Sequence, residues 1–274
     1  MHVSVRVIPY ADVNGVRIYF ELYGKGETIV FLNGILANTL SWVNQVSFFS
    51  KRFQVLVLDF RGQGKSEKPA MKYPMEIHAD DLEALLNHLK MHRVHAIGVS
   101  FGAEVALVFA TKYPERLKSL VVACAVSHVG PAVKIMAQRW LAAAKRAHAR
   151  RNGKHLFETV YPDIFSNEFI EKKWKLIEST ARFYTISVDM AAFSELIRGF
   201  MRLNVTPELS TIKTPTLVIA AEKDKLKPPR YSKLIHKKIK GSEFAIVKDS
   251  GHTVIWEKPE EFNEIVMEFI ENSS

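Results

Sequence analysis

A serine between two glycines is the pattern with the clearest chemical meaning in this sequence. The stretch IGVSFGAEVALVFA sets Gly98, Ser100 and Gly102 between a short apolar run and a longer apolar segment. The pattern G-x-S-x-G between a strand and a helix is typical of a nucleophile elbow, a sharp turn that exposes the serine hydroxyl. The glycines remove side chains that would clash, and the serine takes a strained backbone conformation. We therefore predict that Ser100 is a nucleophile rather than part of a simple helix cap.

A serine hydroxyl attacks efficiently only when a base takes its proton, and the base needs a carboxylate to orient it. His252, in KDSGHTVIWEKP, follows the last apolar run, at the sheet edge where open α/β sheets bind ligands. Asp224 follows the preceding apolar run and gives the chain order Ser, Asp, His. Two other carboxylates compete, but Glu222 is expected within the strand and Asp249 would have to fold back awkwardly onto His252. We predict His252 as the base and Asp224 as its partner.

An Asn-Gly pair interrupts another apolar run in the stretch FLNGILANTLSW. Such a pair often makes a tight hairpin, but the residues that follow do not alternate between apolar and polar as a returning strand does. An acyl-transfer site needs backbone N–H donors for the oxyanion, one after the nucleophile and one from the loop after an earlier strand. We predict that Phe101 and Ile35 supply these donors. Gly34 would let the backbone approach the substrate.

The elements that must position these residues alternate along the chain, which favours an α/β fold with a mostly parallel sheet wrapped by helices. Helices are predicted at 76–91, 101–112, 229–239 and 259–272. The segments VSVRVIPYADV and GVRIYFELYG alternate better and predict an antiparallel hairpin at one edge. Six further runs, rich in Val, Ile and Leu, predict strands buried on both faces: 28–34, 53–59, 94–100, 117–125, 215–224 and 243–251.

The stretch from about 130 to 210 breaks this rhythm. It holds no convincing strand, but three segments are helix-like: PAVKIMAQRWLAAAKRAHAR, EFIEKKWKLIESTARFY and VDMAAFSELIRGFM. We predict a core domain of residues 1–129 and 211–274 and an all-helical cap of residues 130–210, lying over one sheet edge as a lid. Part of the cap's large apolar side chains should line an acyl pocket.

Composition limits the classes of protein that fit. The chain has 274 residues, 47% of them hydrophobic and 24% charged, and one cysteine, Cys124. It has no run of 18 apolar residues and no apolar N-terminal stretch typical of a signal peptide, so we expect no membrane span and a cytoplasmic location.

The formal charge of +9 is concentrated in one part of the chain. Residues 131–157 hold seven basic residues and no acid: Lys134, Arg139, Lys145, Arg146, Arg150, Arg151 and Lys154. A basic helical face is usually just solvated, but an anionic carrier or a cofactor phosphate at the cap is an alternative. No nucleic-acid-binding module accompanies the charge, so we expect no nucleic-acid partner.

Three other patterns suggest chemistry that we do not expect. RGQGKS (61–66) imitates the end of a phosphate-binding loop, but Asp59 stands where the first glycine is required. His88, His92 and His95 suggest metal, and the first two are one helical turn apart, but the glutamate of a zinc-protease signature is missing between them. An acid in the first turn of a helix, here Glu104, is favoured by the helix dipole alone. We predict no metal and no cofactor.

On these motifs the chain resembles the α/β-hydrolase superfamily over essentially its whole length. The matching segments are FLNG, DFRGQGKSEKP, GVSFGAE, YPERLKSLVV, EKD and GHTVIWEKPEEF. The resemblance implies Ser100 as nucleophile, Asp224 and His252 as its relay partners, and Ile35 with Phe101 as the oxyanion hole. It also implies that the insertion is the family's helical cap.

One position departs from the family pattern. Most relatives carry His-Gly where this chain has Asn33-Gly34. Because the predicted donor is a backbone group, the oxyanion hole should survive this change. Bacterial 3-hydroxyacyl transferases of this fold tend to carry Asn-Gly at this place, which adds some weight to a transferase.

The predicted function is a serine hydrolase that cleaves a carboxylic ester, lactone or thioester of a small-molecule acyl substrate through an acyl-enzyme. Three alternatives use the same residues. An acyltransferase would use an acyl-carrier or coenzyme A thioester, a carbon–carbon bond hydrolase would cleave ring-cleavage products, and a ligand receptor would retain the triad with little turnover. The sequence leaves the acyl and alcohol specificity and the oligomeric state open.

Overall fold

The computed structural model describes residues 9–150 and 152–273, with the side chains of residues 180–187 excepted. Its eight strands form one sheet in the order β1-β2-β4-β3-β5-β6-β7-β8. In chain order they are β1 (Tyr10–Val13), β2 (Val16–Tyr23), β3 (Thr28–Leu32), β4 (Gln54–Leu58), β5 (Val94–Val99), β6 (Leu117–Ala123), β7 (Thr216–Ala221) and β8 (Glu243–Val247). All neighbours from β4 to β8 pair in parallel.

The predicted fold class is confirmed. All six apolar runs form strands of the parallel part, and β1 and β2 form the antiparallel hairpin at one edge. Of the first hairpin segment, residues 3–8 lie outside the described part of the chain.

Helices cover both faces of the sheet. They are α1 (Val43–Phe49), α2 (Met75–His88), α3 (Phe101–Lys112), α4 (Pro131–Arg150), α5 (Lys154–Ile164), α6 (Asn167–Ser187), α7 (Met190–Phe200), α8 (Pro229–Lys238), α9 (Val254–Glu257) and α10 (Pro259–Asn272). Alternate residues of β3 belong to two hydrophobic cores, one on each face of the sheet. Val30 packs on the side of α2, α3 and α8, and Phe31 packs on the side of α1 and α10. This alternation explains why both faces of each strand had to be apolar.

Helix α2 ends earlier than predicted, at His88 instead of residue 91. Lys90 adopts a left-handed backbone conformation with φ 57°. The Met91 N–H then donates to the Leu86 carbonyl oxygen at 2.9 Å, a hydrogen bond typical of a Schellman motif that closes a helix. The sequence has no glycine at this place, which is why the end was misplaced.

Four helices, α4 to α7, lie between β6 and β7 in the chain. Three of them match the helix-like segments of the sequence, and α5 was not predicted. Pro162 lies inside α5, and a proline in a helix interior is unfavourable, so the sequence argues against this helix. No helix of the described residues is long and apolar enough to cross a membrane.

Candidate active site

Ser100 lies in a strained turn between β5 and α3. Its backbone has φ 56° and ψ −120°, a conformation that residues with a side chain rarely adopt. A Cβ at Gly98 would lie 2.5 Å from the Cα of Ala103, and a Cβ at Gly102 would lie 2.0 Å from the carbonyl oxygen of Leu32. Both glycines are therefore required by close backbone contacts, and the predicted strained turn is confirmed.

The three side chains predicted to act together form one chain of hydrogen bonds. His252 Nε2 lies 2.8 Å from Ser100 Oγ, and His252 Nδ1 lies 2.7 Å from Asp224 Oδ2. The tautomer that donates Nδ1–H to the carboxylate leaves Nε2 to accept the hydroxyl proton of the serine. Such an arrangement allows an imidazole to remove a proton from a serine hydroxyl.

The carboxylate of Asp224 is oriented by the backbone that follows it. Its Oδ1 accepts hydrogen bonds from the N–H groups of Leu226 at 2.9 Å and Lys227 at 2.7 Å. These bonds occupy one oxygen and leave Oδ2 for the imidazole. The loop after β7 thus holds one oxygen of the carboxylate through two of its own backbone N–H groups.

The two competing carboxylates are engaged elsewhere. Glu222 lies one residue beyond the end of β7, not within the strand as expected, and its Oε2 accepts from the N–H of Asp249. The side chain of Asp249 is 66% exposed and pairs with Lys223 at 2.8 Å. The side chain of Asp249 therefore lies in solvent, away from the buried imidazole, and does not fold back onto His252.

The loop after β3 faces the serine. A Cβ at Gly34 would lie 3.6 Å from Ser100 Cβ, an ordinary contact distance. Ile35 and Phe101 border one small cavity together with Ser100. Phe101 is the first residue of α3, where an N–H has no acceptor within the helix. The two predicted oxyanion donors thus flank the serine on one side.

Asn33 connects strand ends instead of facing the cavity. It is fully buried, and its Nδ2 donates to the Leu58 carbonyl oxygen at 2.7 Å and to Asp59 Oδ1 at 3.3 Å. Its Oδ1 accepts from Nε1 of Trp42 at 2.6 Å. The amide that replaces the family's usual histidine therefore ties β3 to β4 and to the helical turn at Trp42.

A cavity of about 630 Å³ lies above Ser100 and His252. Helices α4, α5 and α6 contribute much of its wall, so the helical segment lies over the carboxyl edge of the sheet. The wall residues from these helices and the turn after α5 are mostly apolar, and they include Trp140, Leu156, Phe157, Val160, Phe165 and Ile177.

Two charged side chains near the serine were not predicted. Lys227 Nζ lies 3.2 Å from Ser100 Oγ and 2.5 Å from Glu104 Oε1, and both charged side chains are almost fully buried. The helix dipole alone is therefore not the reason for Glu104, because this acid is half of a buried ion pair. The one sequence signal was its spacing, four residues after the serine, which puts it in the first turn of the helix that begins after Ser100.

The loop that imitates a phosphate-binding motif wraps around an internal carboxylate. Asp59 Oδ2 accepts from the N–H of Lys65 at 2.8 Å, and its Oδ1 accepts from the N–H of Thr39 at 2.8 Å. Burial raises the pKa of Asp59, and these backbone hydrogen bonds oppose that rise. The segment RGQGKS thus forms a turn that surrounds the Asp59 carboxylate and is not a phosphate-binding loop.

The histidines that suggested metal have other positions. His88 ends α2, and His95 lies near the start of β5, where its ring contacts Ser119 Oγ at 2.8 Å. Among the described residues, one group of three could offer metal ligands within 4.8 Å of one another: Cys124, Asp224 and His252. Its carboxylate and imidazole already bind each other. Burial raises the pKa of the Cys124 thiol, which keeps its proton and makes it a poor ligand.

Comparisons with known proteins match almost the whole chain. A family model described as alpha/beta hydrolase fold matches residues 27–259. The chain is 26% identical over 259 residues to 3-oxoadipate enol-lactonase 2 of Acinetobacter baylyi, and the match covers 92% of each chain. The structure of MGS-M2, an α/β-hydrolase enzyme from a Medee basin deep-sea metagenome library, is similar at 30% identity with a TM-score of 0.90, covering 96% of this chain and 97% of that one. The enol-lactonase of Burkholderia xenovorans is similar at 25% identity with a TM-score of 0.87, covering 96% and 100%.

Proposed function

The chain belongs to the α/β-hydrolase fold family, and from that premise we propose that it is a serine hydrolase of carboxylic esters, lactones or thioesters. The observation that carries the proposal is the hydrogen-bonded chain from Ser100 Oγ through His252 to Asp224. It lies beneath a cavity large enough for a small-molecule substrate. Similarity to enol-lactonases supports the class of bond.

The first half of the proposed reaction forms an acyl-enzyme. His252 takes the proton of Ser100, and Oγ attacks the acyl carbon to give a tetrahedral intermediate. The N–H groups of Ile35 and Phe101 donate to its oxyanion. The imidazolium, balanced by Asp224, then protonates the departing alcohol, and the ester of Ser100 remains.

The second half returns the enzyme to its starting state. His252 removes a proton from water, and the hydroxide adds to the acyl carbon. The bond between that carbon and Ser100 Oγ breaks, and the imidazolium returns a proton to Oγ. The acid leaves, and no metal or cofactor takes part in any step of this scheme.

The cavity wall favours an uncharged apolar acyl group. Among the described residues that border the cavity, none is Asp, Glu, Lys or Arg. Burial of a charged substrate group against this wall would leave that charge unpaired, which is costly. We propose residues 130–210 as the cap domain that shapes this cavity, on a core of residues 1–129 and 211–274.

The basic stretch of the cap gives little support to an anionic carrier. Within it Arg139 pairs with Asp163, and Lys154 lies 3.6 Å from Glu158. Arg151 lies outside the described residues. Part of this charge is therefore already matched by acids of α5, so hydrolysis is preferred over transfer from an acyl carrier.

The test is an ester screen with matched variants. Nitrophenyl esters with acyl chains of increasing length are hydrolysed by the wild type, and Ser100→Ala lowers turnover at least about a thousandfold. Ser210→Ala, which changes an exposed serine that does not border the cavity, is the control and keeps wild-type turnover.

Two results would contradict the proposal. A loss of turnover below about tenfold in Ser100→Ala would show that another residue is the nucleophile. If the wild type hydrolysed no ester, lactone or thioester, the ligand receptor would be the remaining alternative. Parallel assays with acyl-carrier and coenzyme A thioesters, with and without an acceptor alcohol, separate hydrolysis from acyl transfer.

A further inference from the structure

A buried ion pair contacts the proposed nucleophile in addition to the imidazole. Lys227 is 4% exposed and Glu104 is 0% exposed. Lys227 Nζ donates to Glu104 Oε1 at 2.5 Å and to Ser100 Oγ at 3.2 Å. Ser100 Oγ therefore has two polar neighbours, an imidazole that accepts its proton and an ammonium that donates to its oxygen.

The ammonium group is held in place from several sides. Glu104 Oε1 also accepts from the N–H of Val126 at 3.1 Å, which fixes the carboxylate. The ring of Phe200 lies below the ammonium, with its centroid 5.0 Å from Nζ. Such contacts leave a buried lysine little rotational freedom, so the donor to Ser100 is set before any substrate binds.

The same loop contacts both ends of the hydrogen-bonded chain. The backbone N–H of Lys227 donates to Asp224 Oδ1 at 2.7 Å, while its side chain reaches Ser100 Oγ. Lys227 also borders the small cavity that is bordered by Ile35 and Phe101. The ammonium therefore lies on the side of the serine where the oxyanion donors are expected.

Fold stability alone is a poor reason for this pair. Removing two charges from water is expensive, and well-packed apolar residues often stabilise a protein as well as a buried ion pair does. A buried charged group beside a reactive side chain in a cleft is a candidate for a functional role. The ammonium of Lys227 lies 3.2 Å from Ser100 Oγ, close enough to interact directly with the proposed nucleophile.

We propose that Lys227 is a further catalytic residue of the hydrolase reaction, donating a charge-assisted hydrogen bond to Ser100 Oγ, and that Glu104 is the residue that positions it. This inference rests on the proposed function. The ammonium keeps all its protons throughout, and the hydroxyl proton still passes to His252. Lys227 stabilises the negative charge that Oγ carries while its bond to the acyl carbon forms, and again while that bond breaks.

Glu104 has a second effect, on the charge balance around the imidazole. An uncompensated ammonium near His252 would disfavour the imidazolium that forms during the reaction. Glu104 offsets this repulsion. Burial raises the pKa of Glu104, and the ammonium of Lys227 opposes that rise. The other titratable groups around His252 are Asp224 and Cys124, which lie within 4.8 Å of it, and Glu257, whose Oε2 accepts from the N–H of Gly251 at 3.0 Å.

The decisive variant removes both charges together, Glu104→Gln with Lys227→Met, so that no buried charge is left unpaired. Its rate of labelling by a fluorophosphonate, which reports the reactivity of Ser100 Oγ without turnover, falls roughly 10- to 100-fold. The burst and steady-state rates with a nitrophenyl ester fall by a similar factor. Lys225→Met is the matched control, since this exposed lysine of the same loop pairs with Asn167, and it keeps the wild-type rates.

A second variant separates a catalytic from a structural role. Glu104→Gln alone leaves the ammonium without its counter-charge, so the ascending limb of the pH–rate profile moves to lower pH. The labelling rate above that limb separates the two roles, because a pair that only stabilises the fold would change thermal stability and leave this rate at the wild-type value. This variant decides the question if the double variant does not unfold cooperatively.

Each outcome either supports or overturns the inference. A folded double variant labelled within about threefold of the wild-type rate overturns it while the proposed function stands. An unshifted limb in folded Glu104→Gln overturns the effect of Glu104 on the charge balance around His252, and a wild-type labelling rate above the limb overturns its positioning role. A wild type that fluorophosphonate does not label at Ser100, and that hydrolyses no ester, overturns the proposed function and this inference together.

Discussion

His78 should make the stability of this protein depend on pH below neutrality. Its side chain is fully buried in α2, and three aromatic rings surround it, those of Phe60, Tyr73 and Phe101, with centroids 5.4, 6.1 and 5.2 Å away. Neither ring nitrogen has a hydrogen-bond partner among the described residues. Burial, and to a smaller extent the positive charge of Arg61, lower the pKa of His78 from 6.5 to about 3.

The sign of the effect follows from proton binding in the two states. Because the folded protein holds a neutral imidazole, the unfolded chain binds one more proton between pH 6.5 and pH 3. The stability associated with His78 is fully present above pH 6.5 and is lost as the pH falls, by about 1.4 kcal/mol per unit well below that value. Between pH 6 and pH 4.5 the expected loss from this one group is roughly 2 kcal/mol.

Urea unfolding at several pH values measures this loss. His78→Leu removes the titrating group, and we expect its free energy of unfolding to fall roughly 2 kcal/mol less than that of the wild type between pH 6 and pH 4.5. The comparison of slopes cancels the carboxylates, which both proteins share. His88→Leu, at the exposed end of the same helix, is the control and keeps the wild-type slope. Equal slopes in His78→Leu and the wild type would refute the reasoning.

Two further substitutions, one of them with a matched control, test the close contacts and the cavity. Gly102→Ala places a Cβ against the Leu32 carbonyl oxygen, 2.0 Å away, and should lower the free energy of unfolding by at least about 2 kcal/mol in urea titrations. Gly130→Ala, where the nearest atom is 3.7 Å away, should change it by less than about 1 kcal/mol. Leu156→Trp fills part of the cavity, so kcat/KM for octanoyl nitrophenyl ester should fall at least about tenfold while that for the acetyl ester stays within about threefold. Equal losses for the two esters would place the acyl chain elsewhere.

The parts of the fold that the sequence predicted are those in which a local pattern carries the whole physical reason. β5 is buried at all six positions, so its apolar run needs no partner to be recognised. The turn at Ser100 was predictable because only glycine fits at 98 and 102, where a Cβ would lie within 2.5 Å of backbone atoms.

The parts that were missed depend on contacts between distant segments. Lys227 and Glu104 are 123 residues apart, and neither position signals burial when read alone, because lysine and glutamate are usually exposed. Helix α5 carries Pro162, which local propensity counts against, and tertiary packing of Leu156 and Val160 overrides it.

The proposed chemistry depends on few segments, and this has a physical consequence. The turn before α3 and its first helical turn present Ser100 and Glu104, and the loop after β7 presents Asp224 and Lys227. Each segment thus supplies one member of the hydrogen-bonded chain and one member of the ion pair. A displacement of the loop relative to α3 would change the contact of Asp224 with His252 and that of Lys227 with Ser100 together. The two sets of contacts therefore share one set of backbone constraints, and disorder in the loop would remove both.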